Sequence, residues 1–76
     1  MKIGTTIQNG DMTLTVVAYH ENKKGNVALL VQQDDPCPYL TVIDLTRHKD
    51  GKYHWYFAHY KKDFEEAVQD YIDRKS

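Results

Sequence analysis

Four histidines, one cysteine and 11 Asp and Glu residues are the side chains with chemistry to offer in this 76-residue chain. His54 and His59 lie an odd number of positions apart in one extended segment, so they face opposite ways and cannot chelate together. His48 and His54 flank a single loop and can approach, but no Asp, Glu or Cys completes a ligand set with metal-site spacing. His59, beside Tyr60, has the residue type for general acid–base work, yet no nucleophile or paired carboxylate accompanies it. Cys37 stands between Pro36 and Pro38, where a reactive thiol would need an adjacent base or a helix N-terminus; the segment offers Asp34 and Asp35 instead. The glycines at 4, 10, 25 and 51 are isolated, so there is no phosphate-cradling loop. The reading is of a protein without metal, cofactor or catalytic machinery, whose business is binding.

Charge and length narrow the kind of binding. Ten Lys and Arg against 11 Asp and Glu give a formal charge of −1, which argues against a broadly basic nucleic-acid binder while leaving room for a basic patch. A chain this short forms one domain at most, and a single cysteine cannot make an internal disulfide. The N-terminal residues show no apolar run or small-residue cleavage site, and no window reaches the roughly 20 apolar residues of a membrane span. A cytoplasmic protein is expected.

The elements that must position these residues follow from periodicity. Alternation dominates the first sixty residues and predicts five strands, roughly 2–8, 11–20, 27–33, 39–45 and 53–60. Asn9-Gly10 is the strongest two-residue hairpin signal and, as a turn, would set Ile7 against Met12 and Ile3 against Val16. Ile3, Ile7, Met12, Leu14, Val16 and Ala18 would then share an inner face. From roughly 63 to 74 the period becomes helical: Phe64, Ala67, Val68, Tyr71 and Ile72 form one apolar stripe, with Asp63 as N-cap and Glu66 completing a capping-box pattern. The expected fold is α+β, an antiparallel five-stranded β-meander with one C-terminal amphipathic helix packed on one face.

Three surfaces follow from that arrangement. Loops at one end gather Lys23, Lys24, Arg47, His48, Lys49 and Lys52 into a basic pole. The outer helix face carries the acidic residues Glu65, Glu66, Asp70 and Asp73. Strands three to five are apolar on both faces, and in the last of them Tyr53, Trp55, Phe57 and His59 point one way, with Tyr39 joining this aromatic set from the fourth. Either the sheet twists strongly around its own core, or an apolar patch forms a homodimer or grips a protein partner. An aromatic strand flanked by lysines also fits single-stranded nucleic acid, although the chain has only two arginines, Arg47 and Arg74.

The stretch 53–74 resembles the C-terminal half of small uncharacterised proteins carried by bacterial plasmids, conjugative elements and phages. Those end in a strand reading Gly-His-Tyr-Phe and a helix with Glu-Glu-Ala-x-x-Asp-Phe-x-x-Arg. His59, Tyr60, Glu65, Glu66, Ala67, Asp70 and Arg74 match, whereas Ala58 replaces the glycine and Lys61 the phenylalanine. The resemblance implies a mobile-element accessory protein, a class that includes inhibitors of CRISPR and restriction nucleases. The expectation is therefore a non-enzymatic protein-binding module of anti-CRISPR or anti-restriction type. Its acidic helix would meet a nuclease complex. A homodimer and a single-stranded nucleic-acid binder are the alternatives, and no membrane role is expected.

Overall fold

The computed structural model describes residues 1–76. Five strands, β1 (Thr6–Asn9), β2 (Met12–Asn22), β3 (Gly25–Gln32), β4 (Tyr39–Arg47) and β5 (Tyr53–Lys61), precede one helix, α1 (Phe64–Lys75). The strands pair in sequence order and every pair is antiparallel, so the α+β meander with a C-terminal helix is what the chain forms.

The first hairpin turns one residue later than Asn9-Gly10 implies. Asn9 pairs with Met12 and Ile7 with Leu14, leaving Gly10 and Asp11 as the turn. Positive φ falls on Gly10 (+58°) and not on Asp11, the arrangement in which only the first central residue needs it. Ile3 accordingly lies exposed before β1 instead of on the inner face.

Three bulges bend the sheet. Val17 is the extra residue in β2, between the Val16–Leu30 and Ala18–Leu29 pairs. In β4 the extra residue falls at Asp44 (φ +54°), and in β5 at Phe57 (φ +51°). Each shifts side-chain phase and adds twist. The sheet curls until its edges meet at one point, where Asn9 Nδ2 donates to Tyr53 O at 2.9 Å and Tyr53 N–H donates back to Asn9 Oδ1 at 3.4 Å.

Curling explains the two-sided hydrophobicity. Ile7, Leu14, Val16, Ala28, Leu30, Leu40, Val42 and Leu45 fill the inside of the curl, with Tyr53 and Trp55 half-buried against them. Val27 and Leu29 face the other way and pack under Ala67 and Tyr71 of α1. The near-continuous apolar run of β3 is buried on both sides. The outer face of β3 and β4, which the pattern offers to a homodimer, therefore lies under the chain's own helix.

Asp63 occupies the N-cap position (φ −99°, ψ 134°), but its side chain makes no capping bond, so the capping box is not formed. The helix is also turned from its apolar stripe. Ala67 and Tyr71 are buried, whereas Phe64 and Ile72 remain substantially exposed. Polar contacts on one flank account for the rotation.

Candidate functional site

Thr41 sits at the middle of β4 with no solvent exposure, amid Leu40 and Val42. Cross-strand pairing sets it opposite His59 of β5, and both point toward α1. The helix brings Asp70 and Arg74, one turn apart, onto this pair. Thr41 Oγ1 donates a short hydrogen bond to Asp70 Oδ2, and the same carboxylate oxygen lies 2.9 Å from His59 Nδ1. Arg74 Nη1 donates to Thr41 O and to Thr41 Oγ1, each at 3.0 Å. Burial pushes the Asp70 carboxyl up. The hydrogen bonds from Thr41 and His59, with the charges of His59 and Arg74, outweigh that and hold it below the ordinary carboxylate range.

These residues have the types of a hydrolytic triad but the wrong order. The carboxylate is central, the hydroxyl donates to it rather than to the imidazole, and the hydroxyl is buried away from any substrate. The cluster holds α1 on the sheet, and it rotates the helix to do so. Asp70 thus leaves the acidic outer face expected of it: its side chain is 18% exposed and bonded inward. Glu65, Glu66 and Asp73 stay exposed, with Gln69 Nε2 donating to Asp73 Oδ1 at 3.0 Å.

The aromatic residues divide. Tyr53 and Trp55 line the inner core, while Tyr39 packs beneath the helix with its ring edge-on to Phe64 at 5.3 Å. His59 turns to Asp70. The bulge at Phe57 breaks the alternation that would put all four β5 residues on one side. Phe57 stands out into solvent at 75% exposure, flanked by Tyr56 at 59% and Tyr60 at 53%. The exposed aromatics of β5 are therefore Tyr56, Phe57 and Tyr60; Tyr56, opposite Ile43, lies on the helix side, whereas Tyr60, opposite Leu40, lies on the inner side beyond the bulge. On the helix side the neighbour is the acidic flank of α1, because Lys61 of β5 shares an open groove with Glu66, Gln69, Asp70 and Asp73.

The basic residues do gather at one end. Lys23 and Lys24 form the turn between β2 and β3, Arg47 ends β4, and Lys49 and Lys52 belong to the β4–β5 connection. Near these turns β3 and β4 are joined by Asn26, whose amide Nδ2 donates to Leu45 O at 3.1 Å and whose Oδ1 accepts from Leu45 N–H at 2.9 Å. That amide carries the β3–β4 contact past Val27–Ile43, where the backbone ladder ends and the Asp44 bulge begins. In the longer loop Gly51 N–H donates to His48 O, His48 N–H to Lys52 O, and Lys52 N–H to Asp50 Oδ1. The last bond, aided by the charges of Lys52, His54 and His48, keeps the Asp50 carboxyl low. The imidazoles of His48 and His54 lie against each other, centroids 3.9 Å apart and planes tilted by 33°.

No protein-family model, curated protein or solved structure matches the chain. No helix is long and apolar enough to cross a membrane. No group of three or more His, Cys, Asp or Glu side chains converges in a way that could hold a metal ion. His59, Ala67, Asp70 and Arg74 all serve the helix–sheet contact. Thr41, Asn9 and Asn26, which complete the polar contacts, escape a sequence reading because their roles depend on strands distant along the chain. The available signals were faint: one threonine inside an apolar run, and an asparagine next to a glycine at the start of another.

Proposed function

We propose that the chain is a non-enzymatic protein-binding module that docks through β5 and the adjoining acidic flank of α1. Phe57 carries this reading. A phenylalanine at φ +51° is backbone strain, costing on the order of 1–3 kcal/mol, and at 75% exposure the side chain recovers little of that by packing within its own chain. Strain held together with an exposed aromatic ring describes an anchor awaiting a pocket. Tyr56, on the helix side of β5, extends the apolar contact, combining large area with a polar tip as residues at interface centres do. Glu65, Glu66 and Asp73 supply negative charge beside it, so the complementary surface is basic and carries an apolar pocket. The substrate groove of a nucleic-acid enzyme has that charge. Together with the resemblance, this makes a nuclease inhibitor the specific form of the proposal.

Phe57→Gly tests it, because glycine accepts the positive φ and removes the ring. The variant is expected to be as stable as the parent or more stable by about 1 kcal/mol in urea denaturation. It should lose at least tenfold in partner capture by the tagged chain from its native host. The triple variant Glu65→Lys, Glu66→Lys, Asp73→Lys should lose capture too, without touching the Asp70 contact. Undiminished capture by both folded variants removes the reading.

A further inference from the structure

The basic pole is not used by that docking surface, and it has a feature that simple solvated lysines do not explain. Five cationic side chains, Lys23, Lys24, Arg47, Lys49 and Lys52, lie at the end of the sheet where β2 turns into β3 and β4 into β5, and Arg47 and Lys49 share an open groove with His48. Among them His48 and His54 present two exposed imidazole rings in a stack. His54 pairs across the ladder with Thr46, which keeps it on the face opposite the inward Tyr53. An exposed aromatic face beside cations is the combination that binds single-stranded nucleic acid, with a base stacking on the outer ring and phosphates meeting the cations. We infer that the basic pole is a single-stranded nucleic-acid site in which a base stacks on the His48–His54 pair.

The charges facing the pair come from both turns. Arg47, Lys49 and Lys52 lie on its own loop with Asp50 as the one acidic group, and that carboxylate is already engaged by Lys52 N–H. At the turn from β2 into β3 stand Lys23 and Lys24 with Glu21, and Asp44 lies at the bulge between. Tyr53, the adjacent titratable group, points into the core. Five cations against the three carboxylates Glu21, Asp44 and Asp50 leave the pole a small positive excess beside the ring stack.

The test is anisotropy of a rhodamine-labelled oligothymidylate of about 15 nucleotides, longer than one such site, in about 20 mM salt. Affinity should fall at least tenfold when salt is raised to about 200 mM, as contacts to phosphates require. His48→Ala/His54→Ala, confined to exposed positions, should lose at least threefold in affinity for oligothymidylate. Lys49→Glu/Lys52→Glu should weaken binding and flatten the salt dependence. An abasic oligomer of equal length should bind at least threefold more weakly than oligothymidylate; equal affinity overturns base stacking and with it the proposal. Binding to vesicles with about one third phosphatidylserine, while oligothymidylate stays unbound, also overturns it. Phe57→Gly is expected to bind oligothymidylate normally, so this site can fail while the protein-docking surface stands.

Discussion

Replacing Asn26 by alanine should be the most damaging polar truncation in the molecule. The asparagine is 9% exposed, and its amide makes both bonds that the backbone of Leu45 would otherwise lack. Leu45 is itself buried, so water cannot replace the lost partner. A buried backbone group left unsatisfied costs about 1–3 kcal/mol, and two of them cost about 2–4 kcal/mol with partial relaxation. A domain of this length has a total stability of about 4–11 kcal/mol. The variant therefore forfeits a large share of it, a fall in Tm of roughly 10–25 °C. Trp55, the single tryptophan, is half-buried against the inner core and reports the transition in thermal and urea unfolding. Asn9→Ala is the internal control. Its amide bonds the seam at 2.9 and 3.4 Å in a part-buried position that water can reach, so about 1 kcal/mol is expected. A loss below about 0.5 kcal/mol for Asn26→Ala, or a larger loss at Asn9, would refute the view that the Asn26 amide mends the bulged sheet.

Two further outcomes follow from the same geometry. Gly25→Ala forces a side chain onto φ +137° and sets its Cβ 2.1 Å from the movable Asp44 Oδ1, and should cost about 1–3 kcal/mol in urea denaturation, most of it backbone strain. Adding Asp44→Ala removes that oxygen and should recover only a minor part of the cost; full recovery would mean the clash, not the strain, is the cause. Asp70→Asn should lower stability by about 1–2 kcal/mol at pH 7 through loss of charge-assisted bonds. Because the folded state depresses the Asp70 carboxyl, its contribution is complete above the unfolded value of about 3.9 and is lost as pH falls through the folded one. The gap between parent and Asp70→Asn should thus close between about pH 5 and pH 2, and a gap constant over that range would exclude the linkage.

Periodicity was a good guide wherever a segment's role is local. The five strands, their order and the helix follow from alternation, turn residues and the 3.6-residue stripe, and β3 reads as buried on both sides from Val27 to Leu30. What alternation cannot carry is phase across a bulge. Val17, Asp44 and Phe57 each insert one residue, and every facing inferred beyond them inverts. The helix shows the same limit differently. Its apolar stripe centres near Phe64 and Val68, but the bonds of Asp70 and Arg74 to Thr41 turn it toward Ala67. Phe64 and Ile72 are left at the margin. Asn9 was legible as a turn residue and serves instead as a side-chain bridge across the seam, since a turn one residue later leaves its amide free to pair with Tyr53.

The functional reading moves outward for the same physical reason. His59, Asp70 and Arg74 meet at Thr41, where their hydrogen bonds are spent on holding the helix. Residues free to act are those the fold does not consume: Phe57 with its positive φ, its two exposed tyrosines, the carboxylates of the outer helix and the stacked imidazoles of the opposite pole. Phe57 and the helix-docking cluster sit two residues apart on β5, joined through His59. A partner that engaged Phe57 and altered the bulge would shift the strand pairing that sets His59 opposite Thr41, and so would pull on the bond to Asp70. Movement at the Phe57 bulge and the seating of α1 are therefore linked through His59.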